Sequence, residues 1–176
     1  MTFRPKPKNY KAYFVSGFCA AFSVAAFYIS SLVDRFMIIY QVFAIVTAVV
    51  AIQVFLKYIQ CDYVYKLGEH ELEIFKVTGN NSVCVCSLSY EESLKTAVTA
   101  KYYKENKKSF PTSKILINYC KSIFPNEYYL YFFNFNGKVS ELKFEPDKLF
   151  ADALNEKITA ALSRREFEEN EENENE

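Results

Sequence analysis

The sequence predicts an α+β membrane protein: a transmembrane helical hairpin followed by an antiparallel bent sheet or barrel of about seven strands, capped by a C-terminal helix. Two apolar runs of 21 residues each, 13–33 and 36–56, predict the hairpin. Short segments rich in β-branched and aromatic residues, separated by Gly and Asn turns, predict the strands. Apolar residues at every fourth position near the carboxyl end predict the closing helix.

Each apolar run has the length of a bilayer span. Its 21 residues cover roughly 30 Å at a helical rise of about 1.5 Å per residue. Only Asp34 and Arg35 separate the runs, so the two helices must be antiparallel and in contact. Because small residues allow close helix approach in lipid, we expect packing between two rows of them. The rows are Gly17, Ala21 and Ala25 on the first helix, and Ala44, Ala48 and Ala51 on the second.

The first run has an alternative interpretation as a signal peptide, because basic residues precede it and Ser23-Val24-Ala25 is similar to a cleavage site. The run continues past the short apolar core of a signal peptide, and a second span follows at once, which favours an uncleaved span. Lys and Arg mark the cytoplasmic side of a span, and the connecting turn holds Arg35 alone. We therefore expect a multi-pass protein of the cell membrane with both termini cytoplasmic. The basic residues before the first span are Arg4, Lys6, Lys8 and Lys11.

These patterns divide the chain into four parts: a basic segment (1–12), the transmembrane hairpin (13–57), a cytoplasmic domain (58–163) and an acidic tail (164–176). The strands predicted in the domain are 61–67, 71–78, 83–89, 96–103, 114–119, 128–135 and 139–144. The closing helix begins near Pro146 and its apolar stripe extends to about residue 163. The last eleven residues contain seven glutamates, so this tail is expected to be disordered.

The order of elements resembles the pleckstrin-homology-like fold, and its place after a helical hairpin is similar to small bacterial membrane proteins that carry such domains. Two stretches carry the resemblance: YVYKLGEHELEIF, similar to the opening hairpin of that fold, and LKFEPDKLFADAL, similar to its closing helix. Members that bind phosphoinositides use Lys and Arg around the first hairpin loop. Here that loop is Gly68-Glu69-His70-Glu71, which is acidic, so recognition of that type is not expected.

No catalytic residue, cofactor or metal site is predicted. Three of the four glycines lie in predicted turns and Gly17 lies in a span, which leaves none for a phosphate-cradling loop. His70 is the only histidine and is interpreted as a solvated turn residue. Cys84 and Cys86 are two apart on a predicted strand and therefore point to one face. We interpret them as small apolar core residues rather than metal ligands.

Lysines concentrate between residues 101 and 121, where Glu105 is the only acidic residue. A lysine near an anionic leaflet contributes on the order of 1 kcal/mol to binding. The six lysines are Lys101, Lys104, Lys107, Lys108, Lys114 and Lys121. The first four are candidate lipid contacts, with a solvated loop as the simpler alternative. Aromatic residues lie among these lysines, but no recognised motif accompanies them, so nucleic acid is not an expected partner.

The sequence favours a non-enzymatic scaffold, tethered at the inner leaflet, that docks a protein or peptide partner. An exposed strand edge would bind such a partner by strand addition. The alternative is an anionic-lipid-sensing domain that uses the lysine-rich 101–121 loop. A third hypothesis, an enzyme, would need a polar pocket that includes Cys120 or the Glu91-Glu92 pair.

Overall fold

The computed structural model describes residues 1–6 and 10–174. These residues form two compact units. The hairpin unit comprises Lys6–Asp62 with Ser122–Phe124, and the sheet unit comprises Met1–Pro5, Tyr63–Lys121 and Pro125–Glu176. Two parts of the predictions lie outside the described residues: Lys8 of the basic segment, and the last two residues of the acidic tail.

The hairpin unit consists of two long helices joined by a tight turn. Helix α1 spans Tyr10–Ser30, a 3₁₀ turn spans Asp34–Phe36, and α2 spans Met37–Val54 before continuing as a π-helical segment over Phe55–Gln60. Within the part of the chain that the structure describes, these two helices are long and apolar enough to cross a membrane. The prediction of two long apolar helices is confirmed.

Small side chains lie between α1 and α2. The Ser16 hydroxyl donates to the Ala51 carbonyl at 3.1 Å, and the Ser23 hydroxyl donates to the Ala44 carbonyl at 2.7 Å. Both serines therefore donate their hydroxyl protons to the partner helix. The buried alanines of this unit are Ala12, Ala26, Ala44 and Ala51.

The row predicted on α1 is wrong. Gly17, Ala21 and Ala25 are exposed, and a Cβ built on Gly17 would meet no atom within 4 Å. Residues four apart advance by about 40° around a helix at each step, so a row with that spacing winds away from the contact. The contact follows alternating steps of three and four, as in coiled coils. On α2, Ala44 is buried and Ala48 is half-buried.

The sheet unit is built on two four-stranded sheets within the described residues. The first sheet has the order β1-β2-β3-β4, formed by Thr2–Phe3, Cys61–Leu67, Glu71–Thr78 and Asn81–Ser89. The second sheet has the order β5-β7-β8-β6, formed by Val98–Thr99, Tyr129–Phe135, Lys138–Phe144 and Ile115–Asn118. Two helices, α3 (Ala100–Glu105) and α4 (Lys148–Glu174), complete the unit. The α+β class is confirmed.

The strands depart from the prediction in four ways. Strand β6 pairs in parallel with β8, although an antiparallel sheet was predicted, and no closed barrel forms among the described residues. Residues 96–103 form the short β5 and then α3 instead of one strand, because the Thr99 hydroxyl caps α3 by accepting the Tyr102 N–H at 3.3 Å. Strand β1, which pairs antiparallel with β2, was not predicted.

The core of the sheet unit lies between the strands and one face of α4. Alternate positions of the strands are buried, including Tyr65 on β2, Ile74 on β3 and Phe144 on β8. The apolar stripe predicted on the closing helix is confirmed, because its buried residues are part of this core. These residues are Phe150, Leu154 and Ile158.

Helix α4 extends further than predicted. The acidic tail (164–176) was expected to be disordered, but the backbone is helical through Glu174. Glutamate is a good helix former, so an acidic segment can prolong a helix whose first turns are already held by packing. Phe167, the one apolar residue of the last eleven, is exposed.

Candidate functional site

The second sheet has a core face and an outer face. Tyr131 on β7 and Leu142 on β8 belong to the core. Because successive strand residues point to opposite faces, Leu130, Glu141 and Lys143 lie on the outer face. Charged residues at alternate positions of β8 thus mark a surface that the core does not use.

A cluster of aromatic side chains holds the lysine-rich segment of residues 101–121 against this outer face. Tyr103 of α3 and Phe110 pack on each other and on Phe132 of β7, with ring centroids 5.4–5.5 Å apart. Aromatic rings at this separation attract one another beyond the area that they bury. The lysine-rich segment is therefore held against the sheet by its aromatic residues and does not form a freely solvated loop.

A cavity of about 380 Å³ opens between this segment and the outer face. Leu116 of β6, which lines it, is 63% exposed, so the cavity is open to solvent. Its volume falls in the range of small-molecule sites. We call it the lysine pocket; it is lined by Ala100, Tyr103, Lys104, Lys107, Leu116, Tyr128, Leu130, Glu141 and Lys143.

The lysine pocket carries more positive than negative charge. Its lysines are Lys104, Lys107 and Lys143, and its only carboxylate, Glu141, accepts a hydrogen bond from the Ser113 hydroxyl at 2.9 Å. The Lys143 ammonium lies 3.9 Å from the centroid of the Tyr128 ring, an attractive cation–π distance. None of the three lysines forms an ion pair with another described residue.

The structure separates the four candidate lipid contacts. All four are exposed, but only Lys104 and Lys107 line the pocket. Lys121, from the same stretch of sequence, is buried. Contact of any of these lysines with lipid stays a prediction.

Lys143 is the lysine of the pocket that was not predicted from the sequence. It lies more than thirty positions after Lys107, and only the pairing of β6, β7 and β8 brings these segments to one face. A usable indication was present, because Glu141 and Lys143 alternate with core residues on a predicted strand. Two charges on one face of a strand indicate a face that is not core.

Strand β4 forms one edge of the first sheet. Val85 forms a bulge, since Cys86 pairs with Ile74 and Cys84 pairs with Phe75. The bulge interrupts the alternation assumed for the two cysteines: Cys84 is exposed and Cys86 is half-buried. Cys84 is therefore not a core residue, contrary to the prediction. Burial, and secondarily the neighbouring Cys84, raises the pKa of the Cys86 thiol to about 11.

The other candidate chemical groups do not converge on a site. His70 is exposed between β2 and β3, Glu91 and Glu92 are both exposed, and Cys120 is buried. Across residues 1–6 and 10–174, no group of three or more His, Cys, Asp and Glu side chains is arranged to hold a metal ion. The lysine pocket is the arrangement with the clearest ligand chemistry.

No protein-family model, curated protein or solved structure matches the chain.

Proposed function

We propose that the chain is a two-span membrane protein whose hairpin anchors a non-enzymatic binding module. The observation that carries this proposal is the exposure of large apolar side chains on both helices: Phe14 on α1 and Ile38 on α2 are each 74% exposed. Apolar surface in contact with water costs about 25 cal/mol per Å². A bilayer removes that cost, and helices satisfy their own backbone groups in lipid.

We also propose that the sheet unit lies on the cytoplasmic side, at the inner leaflet. Three of the described basic residues, Arg4, Lys6 and Lys11, precede or open α1, and Lys57 lies at the end of the second helix. The turn between the helices contains Arg35 alone. This asymmetry supports cytoplasmic termini.

A pleckstrin-homology-like architecture remains part of the proposal. The β2–β3 and β3–β4 neighbours in the first sheet, and a closing helix whose stripe enters the core, support it. The parallel pairing of β6 with β8 departs from that fold.

The first candidate partner is an extended peptide segment of another protein. Strand β4 is nine residues long and forms a sheet edge, and Val83 on it is 61% exposed. An edge of this length could accept a strand through main-chain hydrogen bonds. The Tyr119 hydroxyl donates to the Val85 carbonyl at 3.2 Å, which limits docking to either side of the bulge.

The second candidate partner is an anionic lipid. The observation that favours it is the lysine pocket, where Lys104 and Lys107 are joined by Lys143 from a different strand. Lysines that converge from separate elements attract an anion more specifically than a scattered surface charge does.

Site-specific photo-crosslinking in native membranes tests the proposal. A photoreactive phenylalanine would replace Val83 on the edge or Leu116 in the pocket, with the exposed Glu156 of α4 as the control position. A reproducible protein adduct at Val83 supports the peptide partner, and lipid adducts at Leu116 support the lipid. If the adduct yields at Val83 and at Leu116 are both no higher than the yield at Glu156, the proposal of a binding module is contradicted.

A further inference from the structure

We infer that the lysine pocket binds a ligand that carries a phosphate group and an apolar portion. This inference deepens the second candidate function and rests on it only for the lipid source of the ligand. The pocket can bind a soluble phosphate compound whether or not the hairpin crosses a membrane, so the two proposals can fail separately.

The positive charges of the pocket come from three separate elements. Lys104 lies on α3, Lys107 opens the 3₁₀ turn Lys107–Ser109, and Lys143 lies on β8. No described carboxylate pairs with any of them. All three side chains line one cavity, so an anion held there would gain a charge-assisted hydrogen bond from each ammonium that reaches it.

The other residues that line the pocket include apolar ones, which can contact an apolar portion of the ligand. Ala100, Leu116 and Leu130 face the cavity, and Leu116 stays largely exposed although it is a large apolar side chain. Covering it would remove apolar surface from water. A ligand with both a phosphate and a hydrocarbon part would use both kinds of wall.

The pocket is held in shape before any ligand arrives. The packing of Tyr103 and Phe110 on Phe132, with their rings tilted against it, fixes the segment that carries Lys104 and Lys107. The Tyr128 ring holds the Lys143 ammonium at 3.9 Å. Prior ordering of these side chains lowers the entropy lost on binding.

Glu141 limits the charge that the pocket accepts. Its carboxylate faces the same cavity and is oriented by Ser113. One negative charge among three positive ones leaves room for a single phosphate but disfavours ligands with several. Replacement of Glu141 by Gln should therefore tighten phosphate binding, by about two- to fivefold at the interaction strength of solvent-exposed charges.

The test is a titration of the full chain in uncharged detergent, followed by NMR of ¹³C-labelled leucine methyl groups. The probes are inorganic phosphate, dihexanoyl phosphatidic acid and, as a zwitterionic control, dihexanoyl phosphatidylcholine. Leu116 and Leu130 report on the pocket, while Leu72 and Leu154, both fully buried, report on the integrity of the core. We expect saturable shifts of the two pocket leucines with a probe whose phosphate carries a net negative charge, and none with phosphatidylcholine, whose phosphate charge is balanced by its choline.

Two triple variants of equal charge change provide the matched comparison. In Lys104→Gln/Lys107→Gln/Lys143→Gln the dissociation constant should rise about tenfold or more, the scale of a lost hydrogen bond to a charged group. In Lys101→Gln/Lys108→Gln/Lys114→Gln it should change by less than about twofold. Should the pocket triple variant disturb Leu72 or Leu154, the single variants and Glu141→Gln decide instead, since the latter must tighten binding.

Each outcome of the titration has a consequence. Tighter binding of phosphatidic acid than of inorganic phosphate supports a lipid with its headgroup and apolar portion as the source. Equal affinity for inorganic phosphate shows that the pocket binds phosphate alone and overturns the apolar part of the inference. Overturning results are an absence of pocket shifts with both phosphate probes, equal binding of phosphatidylcholine, or equal weakening in the two triple variants.

Discussion

The hairpin unit and the sheet unit use the same side chains in opposite ways. Phe133 and Phe144 of the sheet unit are fully buried, whereas Phe14 and Phe18 of the hairpin unit are 74% and 62% exposed. The hairpin buries Ala12, Ala26, Ala44 and Ala51 and turns most of its large residues outward. This inverted arrangement is what a lipid solvent favours, because lipid provides no hydrophobic force between helices and close packing of small residues holds them together.

The apolar content of a helix does not by itself show whether that helix is surrounded by lipid or by protein. A soluble core helix and a membrane span can have the same composition, and they differ in which side chains the fold covers. In the sheet unit the α4 stripe is covered by strands. On α1 and α2 within the hairpin unit, the exposed side chains include most of the large ones.

The largest expected difference is between matched truncations of phenylalanine. Phe133→Ala should destabilise the sheet unit by about 3–5 kcal/mol, because it leaves a cavity in a packed core. Phe18→Ala should cost less than about 1 kcal/mol, as substitutions outside a core do. Denaturant unfolding of both variants in the same detergent measures the difference. Equal losses would show that the exposed face of α1 is covered by protein.

A charge placed on each surface gives the next largest effect. Ile45 on α2 and Val83 on β4 are 64% and 61% exposed, so they are matched in exposure. Ile45→Lys should oppose membrane insertion by about 3 kcal/mol, and Val83→Lys should change stability by less than about 0.5 kcal/mol. The fraction of protein that remains in membranes after alkaline carbonate extraction reports the insertion. Full retention of Ile45→Lys would argue against a lipid-facing position.

Two serines allow a comparison of hydrogen bonds in the two units. The Ser93 hydroxyl lies 2.6 Å from the Tyr131 hydroxyl in the core of the sheet unit. Ser93→Ala leaves the buried Tyr131 hydroxyl without this hydrogen-bond partner and should lower the free energy of unfolding by about 1–3 kcal/mol. Ser23→Ala removes an interhelical bond and should cost about 0.6 kcal/mol, the average in membrane proteins. Thermal unfolding of the two variants distinguishes these values, and a larger loss for Ser23→Ala would reverse the assignment.

Alkaline pH should have the smallest effect under ordinary conditions, and it acts on the sheet unit. Burial raises the pKa of Tyr131 to about 12 and also raises the pKa of Tyr90. A folded-state pKa above the unfolded one gives stability that is present below about pH 10, the ordinary value, and lost as the pH rises toward 12. Exposed tyrosines such as Tyr102 ionise first, so near-ultraviolet circular dichroism should fall together with the last part of the tyrosinate absorbance, above pH 10. Ionisation of all 14 tyrosines by pH 10 without loss of structure would contradict burial of these phenols.

Local pattern was sufficient for the elements whose residues alternate cleanly. Strands β2 and β3 begin and end where the sequence predicts, and the α4 stripe packs into the core. The parallel pairing of β6 with β8 has no local pattern, since it depends on which strands become neighbours. Residues 98–105 contain β-branched and aromatic residues typical of strands, but Thr99 capping starts a helix there.

The candidate site was predictable only in part for the same reason. Lys104 and Lys107 stand out as members of a lysine-rich stretch, whereas Lys143 joins them only through strand order. On α1, the predicted row of small residues at every fourth position contains Gly17 but not Ser16, whose hydroxyl donates across the helix contact. Both errors arise because spacing along the chain does not determine which residues are in contact in the folded protein.

We propose that the hairpin crosses a bilayer and that the sheet unit lies on the cytoplasmic side. Labelling of right-side-out membrane vesicles with an impermeant maleimide tests this directly. The variant Ser31→Cys places a thiol at the exposed turn after α1, and the native Cys84 lies exposed on β4 of the sheet unit. We predict that Ser31→Cys reacts in intact vesicles and that Cys84 reacts only after the vesicles are opened. Reaction of Cys84 in intact vesicles, or protection of the turn, would contradict the account.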